Sequence, residues 1–199
     1  MVNLLTYNTY KPVRITKIEC ETKLRPGRRT AEIEAVELAA DAVAPGGTLK
    51  AGVYLKPYKQ PRRRVEVELP LPADLPEGPY TAVVCDGPTQ ARLHLRDHPE
   101  LSGPRTLEQL TAALETQVAA RRTQLVLRVA TGPSGVALHD GRTLPDLPPG
   151  VAHVLSQTRR SGAQPVAGAL VRRAPTEWVV QGSESVKFTV RKSKAAADD

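Results

Sequence analysis

Residues 44–87 read APGGTLKAGVYLKPYKQPRRRVEVELPLPADLPEGPYTAVVCDG, apolar and polar residues alternating between closely spaced prolines and glycines. Successive side chains of an extended backbone point to opposite faces, so the stretch predicts strand, turn, strand, turn, strand. Leu49, Ala51, Val53 and Leu55 form one face of the first strand, and Lys50, Gly52, Tyr54 and Lys56 the other. In the second, Arg63, Val65, Val67, Leu69 and Leu71 alternate with Arg64, Glu66 and Glu68, until prolines at 70, 72 and 76 forbid further central pairing. Tyr80 to Cys85 is apolar on both faces, as expected of a central strand.

Outward from this stretch the pattern continues. Between Pro12 and Leu24 the apolar positions are Val13 and Ile15, then Ile18, Cys20, Thr22 and Leu24, a change of phase near Thr16-Lys17 that a β-bulge produces. After a turn at Arg25–Arg29, Ala31, Ile33 and Ala35 share a face before the phase slips again to Val36, Leu38 and Ala40. Ala91, Leu93 and Leu95 against Arg92, His94 and Arg96 are expected to complete the set. Short strands in this number predict an immunoglobulin-like antiparallel β-sandwich over residues 12–98.

The character changes at Pro99–Pro104. Thr106 and Gln109 have capping-box spacing, and Leu107, Leu110, Leu114 and Val118 then line one face of a helix, with Arg121-Arg122 near its C-terminal end. A strand at Thr123–Ala130 follows. A second helix is expected in PDLPPGVAHVLSQTRRSG, with Val151, Val154 and Leu155 inward. Strands at Val166–Arg172, Glu177–Gln181 and Ser185–Arg191 complete a small α/β unit over residues 101–191, and residues 192–199 are expected to be a disordered tail. The fold class is thus mixed and mainly β.

Composition bounds the reading. With 199 residues, 40% hydrophobic and 25% charged, the chain can bury a core, and at 4% aromatic that core is aliphatic. The net charge of +7 permits polyanionic partners, but the basic residues come as doublets and triplets interspersed with carboxylates, the pattern of a solvated surface. Lys59, Arg62, Arg63 and Arg64 form the densest positive cluster and are the candidate anion or partner contact. Tyr54 and Tyr58 lie nearby, yet Arg62 and Arg64 would share a strand face with Glu66 and Glu68, which repel phosphate, so a nucleic-acid-binding module is the alternative rather than the leading reading.

No run is long enough to span a bilayer, and the N-terminal sequence lacks the charged start, apolar stretch and cleavage site of an export signal. Cys20 and Cys85, in two expected strands, suit either an inter-sheet disulfide or two reduced, buried thiols. His94, Asp97 and His98 cluster, but as a polar rim rather than at ligand spacing. His139 and His153 read as surface histidines, and Gly46-Gly47 joins strands instead of opening a phosphate-binding helix. The sequence therefore assigns no catalytic, cofactor-binding or metal-ligating residue.

In order, PGGTLKAGVYLKPYK, LPADLPEGPYTAVVCDG, PRTLEQL, LPDLPPGVAHVL and TEWVVQGSESVKFTV resemble the region downstream of the catalytic domain in bacterial proteins of the SpoIVB-type serine peptidase family. The resemblance spans about Pro12 to Val190. It implies a regulatory protease whose nucleophilic serine lies in a Gly-Met-Ser-Gly-Ser-Pro motif, and an envelope or exported location if this chain belongs to such a larger protein. The motif is absent: GPSGV around Ser134 and QGSES around Ser183 lack its methionine and closing proline. The resemblance thus implies a non-catalytic accessory domain that presents sheet faces and loops to a partner protein or neighbouring peptidase domain. Partner identity and oligomeric state are left open.

Overall fold

A computed structural model describes residues 2–22, 26–138, 143–145, 147, 151, 154–155 and 164–192. In chain order its elements are α1 (Val2–Thr6), β1 (Thr30–Leu38), β2 (Ala42–Val43), β3 (Thr48–Pro57), β4 (Arg63–Pro70), β5 (Gly78–Asp86), α2 (Gly87–Asp97), α3 (Pro99–Ser102), α4 (Leu107–Val118), β6 (Gln124–Ala137), β7 (Thr143–Pro145), β8 (Gln164–Pro175), β9 (Val179–Gln181) and β10 (Ser183–Val190). The structure is mainly β, with two sheets.

The first sheet has the order β4-β3-β1-β9; the second has β2-β10-β5-β6-β7, with β8 also pairing to β6. Most pairs are antiparallel; β1–β9 and β2–β10, whose later strands lie beyond residue 98, are parallel. β5, apolar on both faces, is central as expected, between β10 and β6. The phase slip near Ala35 is a bulge: Ile33 faces Leu55 and Ala35 faces Tyr54. Because Glu34 is the extra residue, Ala31 and Ile33 before it and Val36 and Leu38 after it all serve one core.

That core is aliphatic. Leu49, Val53, Leu55, Val67 and Leu69 from the first sheet, and Val84, Leu125, Leu127, Val129 and Val190 from the second, form one buried cluster, with Phe188 as its buried aromatic and Trp178 packed against it. Each such side chain contributes about 1.5–3 kcal/mol by leaving water. Two of the crossings between the sheets are tight turns at glycine. Pro45-Gly46-Gly47 carries it from β2 to β3, and Gly182, at φ 103°, carries it from β9 to β10.

Asp86 holds that second corner. One carboxylate oxygen accepts the Thr89 N–H at 2.6 Å, capping α2, and the other accepts the Gly182 N–H at 3.1 Å. Its own N–H donates to the Gly182 carbonyl at 3.2 Å. This cap explains a correction: Ala91–Leu95, expected as a strand, lies in α2. Asp86 is the N-cap and Pro88 falls in the first turn, where a missing N–H costs nothing.

A second correction concerns Pro12–Leu24. Among the described residues 12–22 there is no strand, and Cys20 is exposed rather than buried in a ladder. Leu24 lies outside the described residues. Alternation supplies a face to bury but no partner strand, and the positions flanking β3 are taken by β1 and β4. Cys85 is buried in β5, and no disulfide joins it to Cys20.

By Cα proximity the chain forms two compact units, one of residues 1–28, 91–120 and 133–167, the other of 29–90, 121–132 and 168–199. Neither is continuous, whereas the units expected at 12–98 and 101–191 each were. The first unit contains α4, whose Thr106 hydroxyl accepts the Gln109 N–H at 3.2 Å while the Gln109 side chain accepts the Arg105 N–H at 2.8 Å. Leu110 and Leu114 are buried, but Val118 is 64% exposed, and the helix ends before Arg121-Arg122. The Glu108 carboxyl is held below the usual carboxylate range by its own N–H and the Thr106 hydroxyl. Of the segment expected as the second helix, Pro145, Leu147, Val151, Val154 and Leu155 are described; Pro145 ends β7, and Val151 and Val154 are exposed, not inward. Residues 193–199 of the expected tail lie outside the described residues.

Urea unfolding tests the corner and the core. Asp86→Ala removes the cap and strands the Gly182 N–H, and is expected to cost about 1–3 kcal/mol. Leu127→Ala opens a cavity between the sheets and is expected to cost about 2–5 kcal/mol.

Candidate functional site

The candidate cluster Lys59, Arg62, Arg63 and Arg64 occupies the β3–β4 turn and the start of β4. Strand alternation divides it. Arg64 lies on the outer face with Glu66 and Glu68, while Arg63 has the parity of inward Val65 but sits exposed at the sheet's end. Arg62 bonds Glu34 at 2.8 Å and lies over the Tyr54 ring at 4.2 Å. Arg64 bonds Glu66 at 2.8 Å. Lys59, with φ 54°, places its ammonium 5.4 Å from the centre of the Tyr58 ring. The four residues therefore form no common anion cradle: two guanidinium groups are engaged by carboxylates and two cations stack on phenol rings.

The outer face of the first sheet extends this ionic lattice. Lys50 bonds Glu68 across the β3–β4 pair at 3.0 Å, and the Tyr54 hydroxyl donates to Glu37 at 2.8 Å. Gly52 is buried on this face because the Arg64 side chain crosses it, and a Cβ there would fall 2.7 Å from Arg64 Nε. Sequence reading anticipated that Arg64, Glu66 and Glu68 share a face. It missed Glu34 and Glu37, whose side of β1 is fixed only once the bulge is placed.

β4 ends the first sheet. One of its edges pairs with β3, and among the described residues no strand pairs with the other. Arg64, Glu66 and Glu68 stand along it, and charged side chains of both signs restrict which strands such an edge accepts.

Of the expected polar rim, His94 and Asp97 lie in α2 and His98 is the residue between α2 and α3. The His94 and His98 rings lie 4.2 Å apart, and His98 Nδ1 is 3.0 Å from Glu100 Oε1. Glu100, which the sequence reading passed over, is largely buried, and its Oε2 has no hydrogen-bond partner. No three or more His, Cys, Asp or Glu side chains converge at metal-binding geometry among the described residues. Ser134 Oγ donates to the Val166 carbonyl at 3.4 Å, and Ser183 opens β10. His139 and His153 lie outside the described residues. On the face of the second sheet opposite the aliphatic core, Cys85, Val126 and Arg128 are all buried, Arg128 at 4% exposure. Nothing in its flanking sequence distinguishes Arg128 from the exposed arginines.

No described helix is long and apolar enough to cross a membrane. Compared with protein families, curated proteins and solved structures, the chain finds no match in any of the three.

The Tyr54–Glu37 hydrogen bond raises the phenol's pKa, because the carboxylate holds the protonated form; burial adds to this and Arg64 and Arg62 oppose it. A raised folded-state value means the contact's stabilisation is full below the ordinary phenol range and is lost as pH rises through the higher value. Glu37→Gln is expected to bring the Tyr54 titration back towards an ordinary phenol, read by the tyrosinate absorbance difference from a Tyr54→Phe control. Gly52→Ala displaces the Arg64 guanidinium and, since an exposed ion pair contributes about 0–1 kcal/mol, is expected to change unfolding stability by less than about 1 kcal/mol.

Proposed function

We propose that this chain is a non-catalytic accessory domain with an immunoglobulin-like sandwich, related to the C-terminal region of SpoIVB-type peptidase proteins. It engages a partner protein, or a neighbouring peptidase domain, through the open edge of β4 and the adjoining outer face. The unpaired edge is the observation that carries this reading. Its backbone groups can extend the sheet onto an added strand, while Arg64, Glu66 and Glu68 select which strand fits. The packed aliphatic interior beneath makes the edge a rigid template. The order of motifs from the Pro45 turn to the strand ending at Val190 supports the kinship.

The basic cluster is part of that surface. Arg62 and Arg64 orient Glu34 and Glu66. Carboxylates on that face disfavour nucleic acid, because phosphates approaching the cations also meet Glu34, Glu37, Glu66 and Glu68.

Site-specific photo-cross-linking tests the reading in the cells that produce the protein. With p-benzoylphenylalanine in place of Glu66, a discrete protein adduct is expected, and with the same group in place of Lys187 on the second sheet it is not. Equal adducts from both positions, or none, overturn the reading. So does a salt-sensitive shift of a short DNA or RNA that is abolished by Lys59→Glu and Arg63→Glu.

A further inference from the structure

Residues 12–22 repeat the design of β1 without a partner. In β1 the inward positions are Ala31 and Ile33, then, after the bulge, Val36 and Leu38. Val13 and Ile15, then Ile18 and Cys20, have the same spacing. The segment also has the side-chain contacts of an extended chain, which bring residues i and i+2 together. Lys17 pairs with Glu19, and Cys20 Sγ lies 3.8 Å from the Thr22 hydroxyl. Yet no backbone–backbone hydrogen bond joins residues 12–20 to any described residue, and Ile18 is 66% exposed.

We propose that residues 12–20 of one chain add as an antiparallel strand to the β4 edge of a second copy. This rests on the reading of β4 as an interaction edge and names its occupant. Register follows from the two patterns. With the bulge placed as in β1, Ile15 lies opposite Val67 and Ile18 opposite Val65, so the apolar residues continue the inner face. On the outer face, Arg14 then meets Glu68, Lys17 meets Glu66 and Glu19 meets Arg64, each a pair of opposite charge. Parallel registers that keep the apolar face inward juxtapose Arg14 with Arg64 and Glu19 with Glu68, set Lys17 opposite Arg64 and Glu19 opposite Glu66, or place Glu19 opposite Pro70. The antiparallel register with Ile15 opposite Val67 matches every one of these charges, whereas a shift of two residues sets Lys17 opposite Arg64 or Glu19 opposite Glu66.

The same register sets Cys20, an exposed free thiol, opposite Arg63 at the strand's end. Directly opposed residues lie about 4.5–5.5 Å apart at Cα, within the range a disulfide spans. Arg63→Cys in the full chain, treated with oxidised glutathione, is therefore expected to give a covalent dimer through a bond between Cys20 and the introduced thiol, two thiols being oxidised as glutathione disulfide is reduced. Cys20→Ser in the same background abolishes it, and wild type, run in parallel, accounts for any Cys20–Cys20 product. In sedimentation, Ile18→Asp, at an exposed position that leaves folding intact, is expected to weaken dimerisation of the otherwise wild-type chain by at least about tenfold. The same disulfide formed within a monomer overturns the proposal in favour of addition within one chain. Absence of the cross-link, or a wild-type chain that stays monomeric, overturns it outright. If the chain is monomeric while the cross-linker at position 66 traps a different protein, the interaction-edge reading stands and this inference alone fails.

Discussion

The passage of the chain through Gly182 is the constraint on which the two-sheet structure depends. Within one residue the backbone leaves the first sheet at β9 and enters the second at β10, which requires the positive φ that glycine adopts without strain. Asp86 fixes the crossing from the opposite strand, using both carboxylate oxygens and its own N–H. The arrangement couples three things: the pairing of β10 with β5, the start of α2, and the placement of β9 beside β1. Once these are set, the aliphatic faces of the two sheets are opposed and the core closes.

From the same closure follows the asymmetry between the two sides of the first sheet. Its inner face is committed to packing. Its outer face is an exposed lattice of paired charges around Tyr54, and at such exposure the pairs contribute little to stability, about 0–1 kcal/mol each. Their effect is geometric: they hold Arg62 and Arg64 in place and give the β4 edge a patterned charge. A sheet that ends in an open but charged edge favours a selective strand partner over indiscriminate pairing.

Much of the local structure was legible in the chain. The alternation from Leu49 to Leu55 and from Val65 to Leu71, the two-faced apolar run at Tyr80–Cys85, the bulge near Ala35 and the Thr106 cap each rest on contacts within a few residues or on strand parity. What misled was local pattern without a partner. Val13–Cys20 alternates as well as β1 does, but a strand exists only where another offers its hydrogen bonds. At Ala91–Leu95 the spacing of Ala91 and Leu95 fits a helix as well as a strand, and Asp86 followed by Gly-Pro decides for the helix. Long-range pairing, such as β10 with β5, leaves no trace in either segment alone. The candidate cluster was legible as a charge run, but its pairing with Glu34 depended on the bulge.

The central claim is that the early strands and the late ones form one cooperative structure closed at the Gly182 crossing, not two consecutive domains. Amide hydrogen exchange on the full chain, at concentrations where it is monomeric, tests this most directly. The account predicts that the hydrogen-bonded amides of β3, β5, β10 and the Gln124–Val129 part of β6 exchange with one common, highest free energy, while residues 12–20 exchange rapidly. Slow exchange confined to residues 30–86, with β6 and β10 opening at a much lower free energy, would contradict it.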